Sequence, residues 1–163
     1  MGAVTPLGNN PKETWEAMVA GKSGAAPITL FDASKFKTQF ACEVKGLDVN
    51  AYIDRKEARK MDRYTQLAII AAKQAVEDSG MNLDTEDLNR IGVVYGVGIG
   101  GIKTFEDEVG YYGAHREDGP KFNPFFIPKM IADIAAGQIS IVRLPRPQLY
   151  HRFCLCFFFE RTG

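Results

Sequence analysis

This chain of 163 residues predicts an α/β fold, and three observations carry that expectation. Apolar residues recur at helical spacing in several separate stretches. One short run, "IGVVYGV" at 91–97, is apolar on both faces, as a strand buried in a parallel sheet would be. The segments run helix, irregular stretch, helix, strand, helix, helix, so the two types are interleaved. Strands are few for such a fold and a parallel strand needs neighbours, so the pattern reads as part of a domain.

The first helix is expected in "NNPKETWEAMVAGKSG". Asn10 can cap it, Pro11 suits the first helical position, and Gly21 can close it. Trp15, Met18 and Val19 fall on one face, which predicts that they point inward. The stretch "ITLFDASKFKTQFACEVKG" is irregular, with one short strand expected around Phe40 to Val44. The strongest helix is "MDRYTQLAIIAAKQAVEDSG", with Asp62 as cap and Gly80 as a left-handed stop. Its inward stripe is Leu67, Ile70, Ala71 and Ala75. A capped helical turn in "LDTEDLNR" then leads into the strand at 91–97. A last helix is expected from about Pro128, with Met130, Ile131, Ile134 and Ile139 inward.

Composition narrows the function. Hydrophobic residues make up 45% and charged residues 25%, as in a globular domain. Twenty basic residues balance twenty acidic ones, so no excess of charge favours nucleic acid or a membrane surface. Three cysteines make no disulfide framework, which points to a reducing, cytoplasmic setting. The start, "MGAVTPLGNN", lacks the charged-then-apolar pattern of a secretory signal.

Three stretches could carry chemistry. In "GVGIGG", Gly96, Gly98 and Gly101 fit the G-x-G-x-x-G spacing that lets backbone amides receive a dinucleotide pyrophosphate. The segment that follows, "IKTFEDEVG", is acidic and would repel phosphate, and the acidic residue expected about twenty positions on falls in the loop "HREDG". A tight turn where backbones approach closely is the stronger reading. In "DRKEARKMDR", Lys56, Arg59, Lys60 and Arg63 stand at i, i+3, i+4 and i+7, one helical face that could dock an acidic partner. Asp54, Glu57 and Asp62 are counter-charges within the same stretch, and on charge alone a solvated face is favoured. The tail "VRLPRPQLYHRFCLCFFFERTG" gathers His151, Cys154 and Cys156, too few ligands and wrongly spaced for structural zinc. Its apolar neighbours would raise a thiol pKa and so blunt a nucleophile. Cys42 reads as a small buried residue, and His115 lies in a polar loop. No catalytic residue, metal ligand or cofactor is assigned.

Four stretches together carry a resemblance: "GAVTPLGNNPKETWEAMVAGKSG", "RKEARKMDRYTQLAIIAAKQAVEDSG", "RIGVVYGVGIGG" and "NPFFIPKMIADIAAGQISI". In order and spacing they resemble the N-terminal part of the beta-ketoacyl-acyl-carrier-protein synthases, the type II elongating enzymes most of all. The resemblance covers residues 1–141. It implies the incomplete N-terminal half of a thiolase-like fold, with layered helices and a mixed sheet. It implies a homodimeric acyltransferase of fatty-acid synthesis, in which an acyl chain held on a cysteine condenses with malonyl-carrier protein and carbon dioxide is released. The acyl carrier protein is the implied partner, with no nucleic acid and no membrane.

The family has a strand before "GAVTPLG" that is missing here, so Met1 is expected to be an internal methionine. After "GQISI" the resemblance stops, before the family's nucleophilic cysteine and both catalytic histidines, so this chain itself is expected to be inactive. Residues 142–163 are expected to be a non-native tail. Read one base over, suitable codons for the tail can encode "YGFRGPNYTTVSACASSSNAL", with the nucleophile's codon split between Leu155 and Cys156. A single-base insertion near Val142 would produce this, and the DNA around codon 142 decides it.

By position, the family's basic segment maps onto Lys56, Arg59 and Lys60 and implies carrier docking. Its acyl-pocket isoleucine maps onto Ile99. The second phenylalanine of "PFF" maps onto Phe126 and implies a ring reaching the partner subunit's acyl pocket. With these roles the dinucleotide reading of the glycines falls away. A carrier-binding module without catalysis is the alternative function.

Overall fold

The structure is a computed structural model, and it describes residues 1–143. Its contacts divide it into two compact units. One comprises Met1–Val49 with Ile70–Met81, the other Asn50–Ile69 with the chain from Asn82 onward.

The first unit contains helix α1, Pro11–Val19, and strands β1, Ala25–Pro27, and β2, Phe40–Cys42. Local signals place α1 as expected. Asn10 Oδ1 accepts the amide of Glu13 at 2.9 Å, Glu13 reaches back to the amide of Asn9, and Gly21 turns the chain away with φ of 65°. The inward face is different from the one predicted. Trp15, Met18 and Val19 are exposed, and Ala17 is the buried residue. The cause is the N-terminal turn, which packs on the other side of the helix. Thr5 Oγ1 lies 3.0 Å from Thr14 Oγ1, and a Cβ on Gly8 would lie 2.7 Å from the Thr14 nitrogen. Thr14 and Ala17 therefore form the packed face.

Strand β2 forms where expected and pairs with β1 antiparallel, in the register Ala25 with Cys42 and Pro27 with Phe40. Cys42 is exposed on this hairpin, not buried, because both strands show one face to solvent. Glu43 clamps the entry to the hairpin by accepting from the Thr29 amide and hydroxyl, at 3.0 and 2.6 Å.

Helix α3, Arg63–Ser79, crosses the division between the units. Its C-terminal half belongs to the first unit. There Gln74 accepts the amide of Ala3 at 3.0 Å and donates to the Asn9 carbonyl at 2.7 Å. Gly80 stops the helix with φ of 65°, as the sequence predicts. Ile70, from the predicted stripe, is fully buried, as are Thr65, Ala68 and Ile69.

The second unit contains helix α2, Arg55–Ala58, the first turns of α3, and helices α4, Ile102–Ala114, α5, Phe126–Met130, and α6, Ile134–Arg143. Two expectations need correction here. The stretch 91–97 is not a strand, and Val94 is exposed. A strand requires a neighbour to take its amides and carbonyls, and the pairing of β1 with β2 is the only sheet among the described residues. That pairing is antiparallel. The single helix expected from Pro128 is two helices, broken at Ile131, whose ψ of 136° is extended. Ala135, Ile139 and Ser140 are the buried residues of α6. Apart from the last two residues of α6, the tail at 142–163 lies outside the described residues.

Candidate functional site: an apolar groove and a basic turn

The basic segment is built from two helices, not one. Asp54 Oδ1 caps α2 by accepting the amides of Lys56 and Glu57 at 2.8 and 3.4 Å. After Ala58 the chain leaves the helix, and α3 begins only at Arg63. The single helical face from Lys56 to Arg63 is therefore interrupted. Gln66 causes the interruption to hold, since its amide donates to the carbonyls of Ala58 and Met61 at 2.8 and 3.4 Å. Ile53, Ala58 and Met61 are buried and anchor the turn from beneath. Lys56, Arg59 and Lys60 stay exposed within five residues. Lys60 pairs with Glu57 at 2.6 Å, an exposed ion pair worth about 0–1 kcal/mol.

The glycine turn builds a groove. Gly100 has φ of 93°, and a Cβ there would lie 2.6 Å from the Met130 carbonyl. A Cβ on Gly101 would lie 2.3 Å from the Lys129 carbonyl. The Gly101 amide donates to the Met130 carbonyl at 3.0 Å. Close backbone approach thus falls at Gly100 and Gly101, while Gly98 has open space around it. This juxtaposition brings the start of α4 against the end of α5. Between them lies a groove of about 300 Å³ lined by Ile99, Ile102, Phe105, Met130, Ile131 and Ala132.

Two long-range hydrogen bonds set the groove's shape. Asp62 holds the amide of Tyr64 on Oδ1 at 3.3 Å and accepts from the Thr104 hydroxyl on Oδ2 at 2.5 Å, so the residue that starts α3 also holds α4. The Tyr64 hydroxyl donates to the Ile131 carbonyl at 2.5 Å. The same carbonyl accepts the Ile134 amide at 3.4 Å, so it is bonded twice at the break between α5 and α6. Burial, with the negative charges of Asp62 and Asp133 nearby, pushes the Tyr64 phenol above its usual range and keeps it a donor.

Of the residues singled out from the sequence, Ile99 lies in the groove wall and is 72% exposed, so an entering apolar molecule would cover it. Phe126 does not line the groove. Its ring stands between Phe105, at 6.3 Å, and Phe122, at 5.6 Å, both near parallel. Tyr112 extends this row of rings, 5.4 Å from Phe122. His115 is exposed, stacked on Tyr111 at 4.3 Å. Sequence reasoning missed Ile102 and Phe105, although their i, i+3 spacing was a usable signal. It also missed the second role of Asp62 and the role of Tyr64, which depend on partners 42 and 67 residues away. The groove walls are apolar side chains, so the site is suited to hydrocarbon rather than to a charged or metal-bound ligand. Among the described residues no cluster of His, Cys, Asp or Glu could hold a metal ion.

The fold is that of the thiolase-like ketosynthases. The chain superposes on the ishigamide ketosynthase/chain length factor with a TM-score of 0.82 and 25% identity, over 94% of this chain and 38% of that one. The N-terminal domain of the beta-ketoacyl synthases matches residues 1–143, and the chain belongs to that family. It is 43% identical over 145 residues to a 3-oxoacyl-(acyl-carrier-protein) synthase 2 of Staphylococcus aureus. It is 46% identical over 142 residues to the protein of the same name from Coxiella burnetii (strain RSA 493 / Nine Mile phase I). Each match takes in 86% of this chain and 34% of the relative, so the chain spans about a third of the length of these curated relatives.

Proposed function

We propose that this chain is the N-terminal part of an elongating condensing enzyme, a 3-oxoacyl-(acyl-carrier-protein) synthase II. The whole enzyme moves an acyl chain from its carrier to a cysteine thiol. It then joins that acyl group to the carbanion left when malonyl-carrier protein loses carbon dioxide, which frees the thiol. In this reading the groove at Ile99 takes the acyl chain, and the exposed turn with Lys56, Arg59 and Lys60 receives the acidic carrier. Phe126 serves the acyl pocket across a homodimer. The enzyme works in the cytoplasm, and no described helix is long and apolar enough to cross a membrane.

The observation that carries the reading is the groove itself. Its walls are hydrocarbon, its volume of about 300 Å³ is at the lower end of ligand pockets (roughly 300–1,000 Å³), and Ile99 is exposed within it. The residues of this chain supply binding but no nucleophile, since the cysteine motif of the family is absent from its matched part. The chain alone is therefore expected to bind carrier protein and condense nothing. Incubation with radiolabelled malonyl-carrier protein and an acyl primer should give binding without elongated product. Binding should weaken roughly tenfold or more, with a shallower salt dependence, when Lys56, Arg59 and Lys60 are all changed to Glu. Elongation by the chain, or carrier affinity unchanged by the charge reversal, contradicts the proposal.

A further inference from the structure

The acidic run Glu106, Asp107 and Glu108 on α4 belongs to neither the groove nor the basic turn. Glu106 and Asp107 are exposed, and Asp107 pairs with Lys103 one turn back on the same helix. Glu108 is half-buried and turns to a different segment, where its Oε2 accepts the amide of Asn123 at 3.0 Å. A carboxylate drawn partly out of water needs such a donor. Asn123 passes the hold on. Its side-chain Oδ1 accepts the Phe125 amide at 2.8 Å, and its carbonyl accepts the Phe126 amide at 2.8 Å. Pro124 has no amide to place, so the amides from Asn123 to Phe126 are all accounted for around Asn123. Helix α5 begins at Phe126, has five residues and carries no side-chain cap. A helix so short does not fix its own start. The Phe126 ring then stacks between Phe105 and Phe122, and Phe122 directly precedes Asn123.

We infer that Glu108 is a positioning residue for Phe126, acting through Asn123 to fix where that ring leaves α5. The inference rests on the reading above in which Phe126 serves the acyl pocket. Glu108 does not line the groove, so it acts without meeting a chain bound there. What it supplies is one charge-assisted hydrogen bond to the turn before α5. Without that bond the Asn123 amide loses its acceptor and the turn loosens. The backbone of α4, closed by its own helical hydrogen bonds, stays in place.

Amide hydrogen exchange of the purified chain, read by NMR, and equilibrium dialysis against radiolabelled palmitate test this together. In Glu108→Ala the amides of Asn123, Phe125 and Phe126 should exchange about tenfold faster, and those of Gly101 and Phe105 at their original rates. Glu108→Gln, whose side-chain carbonyl can still accept, should restore most of the protection. A residue that only supports α4 would speed exchange at all of these amides, and that result overturns the inference. Palmitate affinity should fall in Glu108→Ala and in Phe126→Ala, and the double variant should lose no more than Phe126→Ala alone, because both changes act through one ring. Additive losses, unaltered palmitate affinity in Glu108→Ala, or unaltered exchange at Asn123 overturn the inference and leave the reading of Phe126 standing. Palmitate affinity unaltered in Phe126→Ala overturns both.

Discussion

Helices α3 and α4 carry similar apolar stripes, yet they stand at opposite ends of the burial scale. In α3, Ala68, Ile69 and Ile70 are at most 1% exposed. In α4 no residue is buried, and Ile102, Phe105, Val109 and Tyr111 lie open. Apolar periodicity therefore identifies a face but not its use. The α3 face stabilises the fold by removing area from water, at roughly 25 cal/mol per Å². The α4 face keeps apolar area in water, which is unfavourable unless something covers it, and such patches mark binding surfaces. The α4 stripe begins at the glycine turn that holds the groove, so its exposed start and the proposed acyl site coincide.

The difference can be broken or sharpened by substitution. Ile69→Ala should destabilise the chain by about 2–5 kcal/mol, because it leaves a cavity in a packed interior. Ile102→Ala should alter stability by no more than about 0.5 kcal/mol while weakening alkyl binding. Urea denaturation of both variants measures this, and equal losses would erase the distinction between the helices. A smaller effect, about 1–3 kcal/mol, is expected from Gly101→Ala, whose Cβ would lie 2.3 Å from the Lys129 carbonyl and force α4 from α5. Gly98→Ala is the control, with nothing within 4 Å, and should be neutral or slightly stabilising. If the two glycine variants unfold alike, the close approach at Gly101 is not what holds the groove.

What was legible in the sequence follows the range of the interactions. The ends of α1 and α3 were readable because Asn10, Pro11 and Gly21, and Asp62 and Gly80, act within a turn of themselves. The stretch at 91–97 was misread because strand formation depends on a partner that its own residues do not specify. The break at Ile131 was hidden for the same reason, since "PKMIADIAAG" reads as continuous helix and the Tyr64 hydroxyl that binds the break comes from another part of the chain. The inward face of α1 was misjudged because hydrophobicity favours Trp15 and Met18, whereas packing against Thr5 and Gly8 requires the small face at Thr14 and Ala17. For the site, Ile99 and the basic turn came from motif position. Phe105 needed the geometry, because nothing in its local sequence says that its ring lies between the groove and Phe126.

In the proposed function, the groove at the start of α4 binds an alkyl chain in preference to the other exposed apolar surface. Photolabelling with a long-chain fatty acid that carries a terminal diazirine, followed by peptide mapping, tests it directly. The adducts should concentrate on Ile99–Phe105 and Met130–Ala132, and unlabelled palmitate should compete them away. Labelling spread in proportion to exposure, with Trp15, Met18 and Leu30 modified as heavily as the groove and no competition by palmitate, would contradict the account.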